Sequence, residues 1–140
     1  MESDYTLSIK LPKIPNIELV VLEGLERMGQ FLGITNEKIG EARIIVNEAI
    51  LNGFEHSGME NPYVNIKFIM TKEKLTVLVT DFGKGFDPEK VEVPEISKKL
   101  NRGNNNKRGW GIKLMKSLSD DLTIESGPTG TRITIIKNLT

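Results

Sequence analysis

The stretch from Ile44 to Leu51 constrains the fold more than any other part of this chain. Thr35 is a good N-cap for a helix running from Asn36 to about Phe54. The second half of that helix carries Ile44, Ile45, Val46, Ala49, Ile50 and Leu51 almost all the way round. A helix without a polar face must be covered on more than one side. The rest of the chain therefore has to supply a layer beneath it and a neighbour beside it. Polar residues set into such a helix, Glu48 and Asn52 among them, need a reason to be there.

The covering layer reads as a sheet. Thr6 to Leu11 alternates, with Leu7, Ile9 and Leu11 on one side. Tyr63–Met70 and Lys74–Asp81 both alternate across the short link Thr71-Lys72-Glu73, which predicts a hairpin. Asp121–Ser126 and Thr131–Lys137 form a second hairpin across Gly127-Pro128-Thr129-Gly130. An earlier helix spans Asn16 to Leu32, with Ile17, Val20, Val21, Leu25, Met28 and Leu32 at helical spacing. Pro15 suits its first turn and Gly33 its end. Gly83 to about Arg108 has no period and reads as a long functional loop, followed by a third helix from Gly111 to Ser119. The order βααββ, loop, αββ gives an α+β fold. It is a two-layer sandwich with helices on one face of a mixed, mostly antiparallel sheet.

The 140 residues fit one domain, 1–140. Formal net charge is zero, so no long-range field draws the chain to nucleic acid or to an anionic membrane. There is no cysteine, which excludes disulfides, thiolate zinc sites and cysteine nucleophiles. No apolar run approaches the length of a membrane span. Met1-Glu2-Ser3-Asp4 lacks the basic and apolar regions of a secretory leader, and the expected location is the cytoplasm.

Three segments carry chemistry. Glu48 and Asn52 are four residues apart, hence one turn apart on one helical face. A carboxylate and an amide so placed can hold a hydrated Mg²⁺ and activate a nucleophile, since Mg²⁺ takes oxygen ligands and shares its shell with phosphates. A solvated helix end is the bland alternative, disfavoured by the apolar surroundings. Asp81 ends a strand ahead of Gly83 and Gly85. There a carboxylate can accept from an exocyclic amine while the glycines let the backbone approach a ligand closely. A plain turn would explain those three residues if they stood alone.

Gly109 and Gly111 precede a helix whose N-terminus is a ready anion site. Lys98, Lys99, Arg102, Lys107 and Arg108 form a basic run upstream with no acid between Ile96 and Arg108. This is either a solvated loop or a lid at about 86–108 that closes on a polyphosphate. Lys107 and Arg108 are equal candidates for the terminal phosphate. Thr131, after Gly130, can join Asp81 in reading a base. His56, the single histidine, excludes a histidine-based metal site. Trp110 reads as a hinge packing residue.

In this order the segments Glu48-Ala49-Ile50-Leu51-Asn52-Gly53-Phe54-Glu55-His56, Asp81-Phe82-Gly83-Lys84-Gly85 and Gly109-Trp110-Gly111-Ile112-Lys113-Leu114-Met115 resemble the N, G1 and G2 boxes of the GHKL, or histidine-kinase-like, ATPases. Gly130-Thr131-Arg132-Ile133 extends the likeness over nearly the whole chain. Within that superfamily the chain is most similar to the bacterial anti-sigma-factor serine/threonine kinases. The resemblance implies a Bergerat ATP-binding fold, ATP and Mg²⁺ as cofactors, Asn52 as Mg²⁺ ligand and Glu48 as general base. It implies that Asp81, with Thr131 nearby, binds adenine, and that Gly83, Gly85, Gly109 and Gly111 shape the pocket and lid. The partners it implies are a small antagonist protein as substrate and a sigma factor, and many members are dimers. Trp110 stands where an aliphatic residue is more usual. The same motifs also permit a nucleotide-dependent binding module that transfers no phosphate.

Overall fold

The alternating segments form strands and the apolar-stripe segments form helices. Their order is β1 (Tyr5–Pro12), α1 (Glu18–Phe31), α2 (Asn36–Ser57), β2 (Tyr63–Met70), β3 (Lys74–Asp81), α3 (Lys107–Leu118), β4 (Asp121–Gly127) and β5 (Gly130–Asn138). The computed structural model describes residues 4–57, 62–83 and 107–140, except for the side chains of residues 107–109.

The strands lie in the order β1-β2-β3-β5-β4. Each ladder is antiparallel, so the sheet expected to be mixed is antiparallel throughout the described residues. Alternation then sorts the side chains. Val64, Ile66, Phe68 and Met70 of β2 and Leu75, Val77 and Val79 of β3 are buried beneath the helices. Ser8, Lys10, Asn65, Lys67, Thr80 and Arg132 point to the open face. There they line a shallow concavity of about 410 Å³, away from the helices. Val21 and Leu25 of α1, Ile45, Ala49 and Ile50 of α2, and Met115 of α3 complete the core. The apolar half of α2 is thus covered by sheet below and helices at its sides, but not all round as its composition suggests: Ile44 and Leu51 remain exposed at 42% and 41%.

Local chemistry fixes the helix ends. The Thr35 hydroxyl accepts from the Lys38 N–H at 3.3 Å, a cap at the start of α2. Gly33 closes α1 at φ 74°, donating to the Gln30 carbonyl, while the Ile34 N–H reaches the Gly29 carbonyl. Two boundaries differ from the sequence reading. Asn16 adopts φ 65° and forms a turn with Pro15, so α1 starts at Glu18 and Pro15 lies outside it. The third helix starts at Lys107 rather than Gly111, so Gly109 and Gly111 lie inside it. Two glycines disfavour a helix by about 1 kcal/mol each, but packing along α2 overrides that local preference.

The inward row of β5 runs Thr131, Ile133, Ile135, Lys137, polar at both ends. Lys137 is 3% exposed. Its ammonium donates to the Leu118 carbonyl at the end of α3 at 2.7 Å and pairs with Glu41 of α2 at 3.1 Å. A cation on the last carbonyl of a helix also suits its dipole. This tie binds β5, α2 and α3 together at one end. At the other end lie Thr131 and Asp81, paired across the β3–β5 ladder.

The Lys137 ammonium holds the Glu41 carboxyl below its ordinary value near 4.5, against some opposing desolvation. A carboxyl lowered in the native state stabilises fully above its unfolded value, and that contribution fades as pH falls through the native one. Glu41→Gln should cost about 1 kcal/mol at pH 7, because the carboxylate is partly hydrated and Lys137 keeps the Leu118 carbonyl. The gap to the wild-type melting temperature should narrow as pH drops below about 4.5.

Candidate active site

The C-terminal half of α2 crosses the ends of β2 and β3. At Gly53 the helix comes so close that a Cβ would stand 3.1 Å from Val64 and 3.4 Å from Val79. The residue before it, Asn52, is only 5% exposed. Neither its Oδ1 nor its Nδ2 has a hydrogen-bond partner among the described residues. An unsatisfied buried polar group costs about 1–3 kcal/mol. Among the described residues nothing compensates that cost, so the amide is open to a partner beyond them.

Glu48 lies one turn earlier and is half-buried. Its carboxylate rests against the backbone of α3 at Gly111, with Oε2 2.8 Å from where a Cβ on that glycine would be. α2 and α3 run antiparallel here, since Gly111 meets Glu48 while Leu118 meets Lys137, the partner of Glu41.

Asp81 occupies the fourth inward position of β3, where the row of apolar residues ends in an acid. It is 3% exposed, and its Oδ1 accepts from the Gly83 N–H at 3.0 Å. Burial pushes its carboxyl above the ordinary value near 3.8, and the backbone N–H groups of Gly83 and Thr131 pull it partly back. Thr131 is buried, and its hydroxyl lies 2.7 Å from Ser126 Oγ. The chain leaving β3 passes directly over the end of α2, where a Cβ on Gly83 would collide with the His56 carbonyl. Only glycine allows that crossing.

These contacts gather Glu48, Asn52, Asp81, Gly83, Gly111 and Thr131 at one end of the interface between helices and sheet. Gly85 and the proposed lid up to residue 106 lie outside the described residues, as do the side chains of Lys107 and Arg108. The backbones of Lys107, Arg108 and Gly109 form the first turn of α3, so none of the three is a loop residue. Trp110 is also helical, with the Lys113 ammonium 5.3 Å from its ring centroid. Ser126 was missed by the sequence reading. The hairpin register pairs it with Thr131, and the turn read at residues 127–130 already held that signal, since it sets the two residues opposite each other.

An acid on a helix, a buried amide oxygen one turn on and an acid on the floor can divide the work of a nucleotide site. Asn52 offers the hard oxygen that Mg²⁺ prefers. Among the described residues no cluster of three or more acids or histidines stands ready to hold a metal, so a Mg²⁺ here would complete its shell with phosphates and water. No helix of the described residues is long and apolar enough to cross a membrane.

A model of the histidine kinase-like ATPase domain matches residues 16–137. The chain is 35% identical over 121 residues to the serine-protein kinase RsbW of Staphylococcus aureus strains MSSA476 and MW2. That match spans 80% of this chain and 76% of those proteins. Its fold is similar to the RsbU and RsbW domains of Rv1364c from Mycobacterium tuberculosis, at a TM-score of 0.67 and 17% identity. This likeness covers 96% of this chain and 32% of that one. It is also similar to the SiaB–SiaC complex from Pseudomonas aeruginosa, at a TM-score of 0.65 and 9% identity, covering 94% and 89%. The two structural likenesses bear on the fold alone.

Asp81→Asn removes a buried charge and keeps an oxygen acceptor for the Gly83 N–H, at the expense of the weaker bond from the Thr131 N–H. A carboxyl raised in the native state costs stability as pH rises past its unfolded value. The variant should therefore melt at or above the wild-type temperature at pH 7. The difference should shrink as pH falls toward 3.8, read by thermal denaturation across pH.

Proposed function

The chain belongs to the histidine kinase-like ATPase domain family, and from that premise we propose that it is a Mg²⁺–ATP-dependent protein serine/threonine kinase. Its substrate would be a small antagonist protein in a partner-switching circuit, in which the kinase also holds a sigma factor. The observation that carries the reading is the buried, unsatisfied Asn52 amide one turn from the Glu48 carboxylate. The serine-protein kinases at 35% identity support a hydroxyl acceptor.

Each residue has a task within this reading. Asp81 accepts from the exocyclic amine of adenine, with Thr131 beside it, and Gly83 lets the backbone lie close to the ring. Asn52 holds Mg²⁺ through Oδ1. When bound, the ion neutralises charge on the phosphates and keeps them in line for attack. Gly109 and Gly111 belong to the first turns of α3, whose N-terminal end favours anions. Lys107 and Arg108 stand at its start, equally placed in sequence to meet the terminal phosphate. Glu48 takes the proton of the acceptor hydroxyl as its oxygen bonds to the γ-phosphorus, and the bond to the bridging oxygen of ADP breaks. Positioning and charge neutralisation supply most of the acceleration.

The test separates binding from transfer. Glu48→Ala should bind ATP within a few-fold of wild type by calorimetry. It should lose at least about a hundredfold in label passed from γ-labelled ATP to serine or threonine of a protein captured with the chain. Asp81→Asn should lose ATP binding, because its amide nitrogen would meet the adenine amine donor to donor. Equal transfer by Glu48→Ala would remove that residue from the chemistry. Tight ATP binding without transfer by the wild type would leave a nucleotide-dependent binding module.

A further inference from the structure

Gly111 is five residues into α3, past the first turn, where a helix has no conformational need of glycine and loses about 1 kcal/mol relative to alanine. Its φ is not left-handed, so the backbone does not demand it. What a side chain here would meet is specific. A Cβ would stand 2.8 Å from Glu48 Oε2 and 3.7 Å from Glu48 Cδ, with no other heavy atom of the described residues within 4 Å beyond its chain neighbours and its own helix backbone. Among the described residues, neither the core nor the sheet nor another backbone segment objects to a methyl group at this point, and the carboxylate does.

We propose that Gly111 is a positioning residue for Glu48. By presenting bare backbone, α3 lets the carboxylate lie flush against it and fixes how far the acid reaches. The inference rests on the kinase reading for its catalytic consequence but not for the contact itself. Gly111 then acts through the base, in addition to any part it has in shaping the pocket. The tie at the opposite end supports this arrangement. Lys137 ties the last carbonyl of α3 to β5 and to Glu41 of α2, a contact that opposes sliding of α3 along α2. A methyl group at 111 would instead push the end of Glu48 aside by roughly half an ångström, a contact the flexible side chain can yield to without unfolding the helix. Displacement of a reacting group by about 1 Å can cost about a hundredfold in rate.

Gly111→Ala should therefore fold and melt at or above the wild-type temperature, and at saturating Mg²⁺–ATP it should lose more in transfer than in ATP affinity. Its kcat for transfer from γ-labelled ATP should fall at least tenfold. Gly40→Ala, on the same α2 and with nothing within 4 Å of its Cβ, should leave transfer unchanged. The shorter acid of Glu48→Asp withdraws from position 111. Adding Gly111→Ala to that variant should cost less than threefold further. A direct readout needs no acceptor: the ¹³C-detected titration of the Glu48 carboxyl should shift in Gly111→Ala and stay fixed in Gly40→Ala. The proposal is overturned if Gly111→Ala lowers ATP affinity in proportion to transfer, if the two backgrounds lose equally, or if the Glu48 titration does not move. An unmoved transfer rate in Glu48→Gln would instead remove Glu48 from the chemistry, absent transfer by the wild type would sink the kinase reading, and in either case the carboxyl titration would still decide the contact.

Discussion

Everything in this fold hangs on the seating of α2. Its apolar surface is too wide for one neighbour, so the sheet takes one side and α1 and α3 take the flanks. Arg43 reinforces the first flank, donating to the Leu22 carbonyl at 3.2 Å and pairing with Glu26 at 3.5 Å. Gly53 lets the helix settle onto Val64 and Val79. That depth of burial seals the Asn52 amide from bulk water. The same seating lays Glu48 against α3 and brings His56 under the crossing strand at Gly83. Among the described residues, the placement of Glu48 and Asn52 is therefore a consequence of how one helix packs.

The two ends of the β3–β5 region show how the chain separates stability from function. At one end a buried cation is fully engaged by a carboxylate and a helix-terminal carbonyl, and it ties three elements together. At the other end a buried acid is held above its ordinary pKa and a buried amide has no partner among the described residues. A buried polar group without a partner lowers stability, which is the pattern expected of a group kept for a ligand. The proposed assignment of Asp81 and Asn52 to nucleotide and Mg²⁺ follows from that contrast as much as from the family.

Much of this was legible in the sequence, and the reasons are local. β2 and β3 fall where strict alternation across a three-residue link put them, and the Thr35 cap and the Gly33 stop act through neighbouring backbone groups. Glu48 and Asn52 stood out because polar groups interrupt an apolar helix, and Asp81 and Thr131 because each stands beside glycines at one end of a strand. The start of α3 was not legible, since Gly109 and Gly111 read as breakers and only packing against α2 makes them helical. Asn16 in its left-handed turn displaced the start of α1. The Lys137–Glu41 tie spans most of the chain and leaves no local trace. Ser126 required the register of a hairpin, and the role of Gly111 required a distance to a residue two elements away.

The central claim is that Asn52 sacrifices stability to hold a ligand, and one melting experiment on the wild type and Asn52→Leu tests it. Without ligand, the leucine variant should melt several degrees higher, because an apolar side chain of similar volume replaces an unsatisfied amide. With saturating Mg²⁺ and ATP, the wild-type temperature should rise while that of the variant stays nearly still. A variant that melts lower than the wild type and still responds fully to Mg²⁺ and ATP would contradict the account, and would make Asn52 an ordinary part of the core.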